Sequence, residues 1–320
     1  MNLPNPLTTA ALAFLRAHDW PPEQAQPFPA DWSTRRYARV TRDAPPHRAV
    51  LMQAVPDADF SAFIRVAHLL RDDLKLAAPE IYAADTAQGF LLLEDFGDAN
   101  FGRLLDGGAE PWPLYARAVA TLCRMQKLSL TLSRPDLPRY DSVRFIAQLD
   151  PVLENFSYPD PAAARDAWQA TWQRALVPVA AMPQALLLRD FMPDNLMAIP
   201  PWQDGQDVGL LDFELAGIGP VAYDLASLLE EVRRDLSPVV YELALAAYLK
   251  EWPELDPQTF RCAVELLAVQ RHARIFARLK TMTKPDFYIR CCGALRDLLQ
   301  TQGAAPVRPW FVTYLPQYFA

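Results

Sequence analysis

Cysteine is scarce in this chain: four occur among 320 residues. Two of them, Cys291 and Cys292, are adjacent, and none has the C-x-x-C spacing of a zinc or redox motif. The sequence therefore indicates neither a disulfide framework nor a zinc site. We expect reduced thiols in a cytoplasmic protein.

Long apolar runs and basic stretches are lacking as well. No run approaches the roughly 20 apolar residues that cross a bilayer. Residues 1–10 show no positive segment followed by an apolar core, so we expect neither a membrane span nor a signal peptide. The net charge of −7 argues against nucleic acid as a partner, because phosphate backbones select basic surfaces.

Glycine is outnumbered by proline, 11 residues against 30, which predicts many fixed turns and few flexible linkers. Hydrophobic residues make up 51% of the chain and charged residues 22%, a composition typical of a globular protein with a sizeable core. A chain of this length is expected to form about two domains or one large two-lobed domain.

The first hundred residues contain short strand-like segments separated by turns. Alternating or continuous apolar residues predict four strands, at 37–40, 49–52, 80–84 and 89–93. Between the second and third strands, residues 60–74 carry apolar side chains at helical spacing, with Phe63 and Val66 on the buried face. Asp57 and Asp59 precede this helix and are expected to cap it.

The rest of the chain is mainly helical. Periodic apolar residues predict helices at 113–128, 143–156, 160–181, 237–252, 258–280 and 288–301. Two short apolar runs, 185–188 and 208–211, interrupt the series and lead to Asp190 and Asp212. The sequence thus predicts an α+β fold with a small antiparallel β-rich N-terminal lobe and a larger helical C-terminal lobe. We expect these lobes to comprise residues 1–96 and 97–320.

Polar residues of the types used in catalysis lie at the ends of these two apolar runs. Asn195 follows five residues after Asp190, and Asp212 comes directly after the second run. Phosphoryl transfer needs such groups, because one carboxylate must orient the attacking hydroxyl and accept its proton. An amide and a second carboxylate suit Mg²⁺, which prefers hard oxygen ligands. The pattern favours a phosphoryl-transfer site.

The loop Arg189-Asp190-x4-Asn195, followed by Asp212-Phe213, resembles the catalytic loop and metal-binding aspartate of kinase-fold enzymes. The run GPVAYDLA at 219–226 is similar to the aminoglycoside-phosphotransferase family, and the A-P-E segment of protein kinases is absent. Within that family the chain most resembles the bacterial anomeric kinases for N-acetylmuramate and N-acetylglucosamine, which serve cell-wall recycling. The segments that carry this likeness are 33–40, 50–56, 89–97 and 190–197.

The resemblance implies a bilobal protein-kinase-like fold that uses ATP and Mg²⁺ to phosphorylate a hydroxyl of a small-molecule acceptor. It implies a monomer or homodimer with no nucleic-acid or membrane partner. Asp190 would be the catalytic base, and Asn195 and Asp212 the magnesium ligands. The N-terminal lobe would bind the nucleotide in the cleft between the lobes, and the C-terminal lobe would provide catalysis and bind the substrate. The cofactor-binding residues that it implies are Ser33, Arg35 and Arg36 at the phosphates, and Leu93, Glu94 and Asp95, through their backbone groups, at the adenine.

Several positions depart from the usual kinase pattern. A kinase places a lysine in the strand at 49–53 to hold the α- and β-phosphates, but this chain has Met52 and Gln53 there. It also lacks a glycine-rich loop. We therefore expect Arg35 or Arg36 to contact the phosphates instead. Leu188 stands where many relatives have a histidine that serves as a structural prop.

Two other functions remain open. The first is a kinase for a different acceptor, such as an aminoglycoside, a choline-like alcohol or a homoserine-like amino acid. An acidic rim beyond Asp212 would favour such cations, whereas a neutral or mildly basic pocket would favour N-acetylmuramate, which carries a lactyl carboxylate. A nucleotide-binding pseudokinase is the second alternative. The missing lysine supports it, and the intact Asp190, Asn195 and Asp212 oppose it.

Four neighbouring residues have simpler interpretations. Glu214 is either a substrate contact or a surface acid. Asp194 is expected to be a solvated loop acid, and Arg189 a structural ion-pair partner. Asp224 is expected to anchor the catalytic loop or to cap the following helix.

Overall fold

The computed structural model describes residues 7–29, 35–56, 59–134, 136–200 and 207–319. The chain divides into two compact units. The first comprises Met1–Asn100 and Met197–Glu214, and the second comprises Phe101–Leu196 and Leu215–Ala320. In the described part of the chain, no helix has both the length and the apolar character needed to cross a membrane.

A five-stranded antiparallel sheet forms the centre of the first unit. Its strands are β1 (Gln26–Pro27), β2 (Arg36–Thr41), β3 (Arg48–Gln53), β4 (Ile81–Asp85) and β5 (Phe90–Glu94). They lie in the order β1-β2-β3-β5-β4. The strands predicted at 37–40 and 49–52 are present as the antiparallel pair β2–β3, in which Ala38 faces Leu51, so this prediction is confirmed.

One face of this sheet packs against the first helix, α1 (Thr9–Ala17). Alternate residues of a strand point to the same face, so Ala49 and Leu51 of β3 share a core with Phe90 and Leu92 of β5. Phe14 of α1 lies in the same core, with its ring 5.3 Å from that of Phe90. Burial of each large apolar side chain stabilises this layer by roughly 1.5–3 kcal/mol.

The predicted helix at 60–74 is present as α2 (Ser61–His68), which continues as a π-helical turn, Leu69–Asp73. Phe63 and Val66 are buried, as the periodicity predicts. The Asp59 carboxylate accepts a hydrogen bond from the Ser61 amide at 2.8 Å, which satisfies one of the open N–H groups at the helix start. Asp57, the other predicted cap, lies outside the described residues.

The later segment of the first unit contains a strand that leads to Asp212. This strand, β8 (Val208–Leu210), pairs with β7 (Leu196–Ala198) in a two-stranded sheet. The Leu210 amide donates to the Ala77 carbonyl at 2.8 Å, which connects β8 to the segment after α2. β7 is too short to give a clear alternating pattern, and the sequence did not predict it.

The second unit is mainly helical. Its helices are α3 (Phe101–Asp106), α4 (Pro111–Ser129), α5 (Ser142–Ala147), α6 (Asp150–Asn155), α7 (Pro161–Ala175), α8 (Val177–Ala180), α9 (Ala222–Leu229), α10 (Pro238–Glu251), α11 (Pro257–Leu279), α12 (Pro285–Leu298), α13 (Arg308–Tyr314) and α14 (Pro316–Phe319). Two short strands, β6 (Gln184–Leu187) and β9 (Gly217–Pro220), pair antiparallel beside them. The core includes Trp168, whose ring lies 4.2 Å from that of Trp310.

Two predicted helices are each divided in the structure. The helix predicted at 143–156 is α5 and α6, and the helix predicted at 160–181 is α7 and α8. Pro151 and Pro178 lie at the starts of the second members. Proline has no N–H to donate and its ring clashes with the preceding turn, so a continuous helix cannot pass through these positions.

Candidate active site

The loop after β6 carries Asp190 in the second unit. Arg189 has a φ of 78°, in the left-handed region that a residue with a side chain adopts at a cost of about 1–3 kcal/mol. The buried Asp224 carboxylate holds the loop by accepting the amide of Leu188 at 2.6 Å and that of Arg189 at 3.0 Å. The prediction that Asp224 anchors the catalytic loop is therefore confirmed.

The side chain of Arg189 is buried between aromatic rings. Its guanidinium carbon lies 4.3 Å from the ring centre of Tyr140 and 5.1 Å from that of Tyr223. Its Nη2 donates to the Gln148 side chain at 3.3 Å. The predicted structural role of Arg189 is confirmed, but the expected carboxylate partner is wrong, because the tyrosine rings hold it by cation–π contact.

A residue of α11, Arg271, holds Asp190 in place. Arg271 donates from Nη1 to the Arg189 carbonyl, and its Nη2 lies 3.5 Å from an Asp190 carboxylate oxygen. Arg271 also donates to the Tyr223 hydroxyl at 3.3 Å. Since Arg271 itself is buried, it fixes both the backbone and the carboxylate at this position.

Asn195 lies at the other end of the same loop. Its side-chain amide donates to the Asp190 carbonyl at 2.8 Å, and its backbone amide donates to the Met192 carbonyl at 2.9 Å. These bonds turn the loop back on itself. The structure thus brings Asp190 and Asn195 together, in the way that the D-x-x-x-x-N spacing predicts.

Asp194 is not the solvated acid that the sequence suggested. Arg233 donates to its carboxylate at 2.9 Å, and Arg234 donates at 2.9 and 3.2 Å. Arg234 also binds Asp106 of α3 at 2.7 Å, and this hydrogen bond contributes most to raising the Arg234 pKa. Gly102 of α3 lies directly against the Asp194 carboxylate and leaves no room for a Cβ atom. Asp194 therefore serves to fasten the loop.

Asp212 lies in the first unit, just beyond β8. It is exposed and has a φ of 56°, a left-handed conformation that turns the chain sharply after the strand. The next residue, Phe213, is fully buried, and its ring stacks on Phe63 of α2 at 4.8 Å. The stacked ring of Phe213 fixes the chain on one side of the turn. On the other side, Asp212 lies at the surface of this unit.

Arg35 and Glu214 form an ion pair in the same unit. Arg35 Nη1 lies 2.5 Å from a Glu214 carboxylate oxygen, and each side chain is about 20% exposed. Burial raises the pKa of the neighbouring Tyr37 hydroxyl to about 12, with Arg35 opposing this shift and Glu214 and Asp212 adding to it. These four groups therefore interact electrostatically. Arg36, the other arginine suggested for the phosphates, is exposed at the first residue of β2, and Ser33 lies outside the described residues.

The segment predicted to contact adenine has its acidic side chains already engaged. Glu94 accepts from Arg71 at 3.0 Å and from the Glu80 amide at 3.1 Å. The Asp95 side chain is 2% exposed and accepts from Arg39 at 2.7 and 3.0 Å. The predicted backbone contacts to the ligand require neither of these side chains. Leu93 is a buried residue of β5.

The strand that carries a lysine in most kinases has no cation at its inner positions. Met52 is completely buried, and the Gln53 side chain donates to Thr8 at 3.3 Å. The sequence-based expectation that β3 lacks the phosphate-binding lysine is consistent with this packing.

Arg271 is the main site residue that sequence reasoning missed. It lies in α11, where Gln270, Arg271 and His272 are all buried within an otherwise apolar helix. Buried polar residues need partners, so this run was a signal that α11 makes polar contacts inside the unit. Tyr140, which packs on Arg189, gave no comparable signal.

Comparison with known proteins identifies the family. The family model described as "Phosphotransferase enzyme family" matches residues 24–257. The chain belongs to the phosphotransferase enzyme family. An N-acetylmuramate/N-acetylglucosamine kinase of Caulobacter vibrioides is 29% identical, with 99% of each chain covered. A kinase of the same name from Neisseria meningitidis is 33% identical, with 81% of this chain and 79% of the relative covered.

Solved structures agree with this phosphotransferase fold. An aminoglycoside 2'-phosphotransferase with GDP aligns with a TM-score of 0.67 at 15% identity, covering 93% of this chain and 98% of that one. A microcompartment-associated aminopropanol kinase aligns with a TM-score of 0.64 at 15% identity, covering 92% and 98%. The predicted protein-kinase-like α+β fold is therefore confirmed.

As a phosphotransferase, the chain is a kinase that acts on a hydroxyl of a small molecule. Its family implies ATP as the phosphate donor. In residues 7–29, 35–56, 59–134, 136–200 and 207–319, no group of three or more histidine, cysteine or acidic side chains could hold a metal ion. The donor set expected here, the Asn195 amide with the Asp212 carboxylate, includes only one group of these kinds.

Proposed function

We propose that this phosphotransferase transfers the γ-phosphate of ATP to the anomeric hydroxyl of N-acetylmuramate and N-acetylglucosamine, with Mg²⁺ as cofactor. The choice of acceptor is supported by relatives of that name at about 30% identity, one of them aligned over nearly the whole chain. The observation that carries the chemistry is the loop at Asp190, held by Asp224 from one side and by Arg271 from the other.

Asp190 is the proposed catalytic base. The acceptor hydroxyl would donate its proton to the Asp190 carboxylate as its oxygen attacks the γ-phosphorus. A base can act only within about 2.6–3.2 Å of the proton's oxygen, so its position has to be fixed before the sugar arrives. The contact with Arg271 and the short Asn195 bond to the Asp190 carbonyl provide this fixed position.

Asn195 and Asp212 are the proposed magnesium ligands. The amide oxygen of Asn195 and the carboxylate of Asp212 are hard donors, which suits Mg²⁺ better than a softer metal. The Asn195 nitrogen donates to a carbonyl, which supports the amide oxygen as the proposed ligand atom. When bound, Mg²⁺ would neutralise charge on the phosphates. The exposure of Asp212 is compatible with this role.

The nucleotide would be bound by the first unit. Backbone groups of Leu93, Glu94 and Asp95 are the proposed adenine contacts. Arg35 is the proposed phosphate contact in place of the absent lysine, because it is already held against a carboxylate and a phosphate is recognised by the same guanidinium geometry. Ser33 and the backbone of Arg36 are the other proposed phosphate contacts. Glu214 remains a proposed contact to the acceptor.

A coupled ADP-release assay with Mg·ATP tests the proposed function. The panel contains N-acetylmuramate, N-acetylglucosamine, kanamycin, choline and homoserine. The methyl glycoside of N-acetylglucosamine is the matched control, because its anomeric hydroxyl is blocked. We expect turnover with the two free N-acetyl sugars and none with the glycoside. Turnover with a cationic acceptor would refute the sugar assignment, and equal turnover with the glycoside would refute the anomeric position.

A further inference from the structure

Three arginines surround Asp190 in the second unit. Arg189 and Arg271 are engaged by the contacts described above, with tyrosine rings, a carbonyl and the Asp190 carboxylate itself. The third, Arg274, lies one turn beyond Arg271 on the same side of α11. Asp190 and Asp224 are the acids that interact with this cluster.

Arg274 has no partner of its own in the part of the chain that the structure describes. No hydrogen bond or ion pair joins its guanidinium to a described residue, and its Nε is buried without an acceptor. The side chain as a whole keeps partial exposure. A half-buried cation that makes no hydrogen bond or ion pair is costly, so such a group beside Asp190 indicates a place for an anion.

The surroundings of Arg274 carry excess positive charge. Burial alone raises the Tyr223 pKa, but the charges of Arg271, Arg274 and Arg189 outweigh it, and the Tyr223 pKa is lowered. Burial also lowers the pKa of Arg274, and the other two arginines act in the same direction. With three cations against two carboxylates, the region beside Asp190 would attract an anionic group.

We infer that Arg274 binds the carboxylate of an acidic acceptor sugar and so sets the preference for N-acetylmuramate over N-acetylglucosamine. This inference rests on the proposed function, because it takes Asp190 as the position of the acceptor hydroxyl. The two sugars differ by the lactyl group, which ends in a carboxylate, and a guanidinium binds a carboxylate with two parallel hydrogen bonds. A cationic acceptor is disfavoured by the same charges.

The test compares Arg274→Gln with the wild type on three ligands: N-acetylmuramate, its neutral methyl ester and N-acetylglucosamine. Loss of a charge-assisted hydrogen bond should lower kcat/KM for N-acetylmuramate by ~10- to 100-fold, through KM. Any loss with the methyl ester and N-acetylglucosamine should be smaller and equal for the two, because neither carries the carboxylate. Arg274→Lys should restore part of the preference. The matched control is Arg278→Gln, which changes an exposed arginine on the last turn of α11.

An equal loss on all three ligands, or a loss on none, would overturn the inference. If the wild type phosphorylates neither sugar, the proposed function fails, and calorimetric binding of the same ligands then decides the inference separately. Tighter binding of N-acetylmuramate than of its methyl ester, abolished in Arg274→Gln, would support the carboxylate site. Equal binding of acid and ester by the wild type would contradict it.

Discussion

Removal of the Asp224 carboxylate should loosen the catalytic loop without touching any ligand. Asp224→Ala leaves the buried amides of Leu188 and Arg189 without acceptors. An orphaned buried donor costs about 1–3 kcal/mol, so the free energy of unfolding should fall by roughly 2–6 kcal/mol. Asp224→Asn retains one acceptor oxygen, so its cost should be about half as large.

The same variant should lower turnover. Asp224 holds Arg189 in its left-handed conformation, and Asp190 is the next residue. A displacement of about 1 Å at a catalytic group costs about 10²-fold in rate, so kcat should fall by about this factor while the KM for ATP changes little. Urea denaturation and the ADP-release assay measure the two effects. Unchanged stability and unchanged turnover in Asp224→Ala would refute this account of the loop.

The ionisation of Asp224 gives a second test on the same residue. Burial raises its pKa from 3.8 to about 6, against the opposing effect of the two backbone N–H groups. The folded state therefore favours the protonated form. The resulting stability is fully present below pH 3.8 and is lost as the pH rises through about 6. Between pH 8 and pH 5 the wild type should gain about 1 kcal/mol relative to Asp224→Asn, measured by urea denaturation at both values.

Three further substitutions test other parts of the site. Asp190→Ala should lower turnover by ~10²–10⁴-fold with ATP binding retained in calorimetry, and unchanged turnover would exclude it as the base. Gly102→Ala should displace Asp194 and lower the thermal midpoint, since the added Cβ meets its carboxylate; an unaltered midpoint and rate would show that the fastening is dispensable. Arg35→Gln should raise the KM for ATP by ~10-fold or more, whereas the exposed Arg36→Gln should not, and the reverse result would exchange their roles.

The sequence predicted those parts of the site that depend on local pattern. The spacing of Asp190 and Asn195 predicts one loop, and the structure joins them by a hydrogen bond across five residues. Asp224 was predicted either to anchor the loop or to cap the following helix, and the structure shows the first of these.

Contacts between distant residues were not predictable in the same way. Arg271 reaches the Arg189 carbonyl across 82 positions, and nothing near Arg189 in the sequence marks that partner. Asp194 was predicted to be a solvated acid, because its partners Arg233 and Arg234 lie about 40 positions away in the sequence. Pro151 shows where apolar periodicity fails to predict a helix boundary. The residues around it continue the helical pattern, although the helix itself stops.

The most direct test of the central claim is the position of the phosphate in the product. Wild-type enzyme, Mg·ATP and N-acetylmuramate would be incubated, and the product examined by phosphorus and proton NMR. The account predicts a phosphate coupled to the anomeric proton, and at least ~100-fold less of this product from Asp190→Ala in the same time. A phosphate coupled to a proton at any other carbon, or no phosphorylated sugar from active, ATP-binding protein, would contradict it.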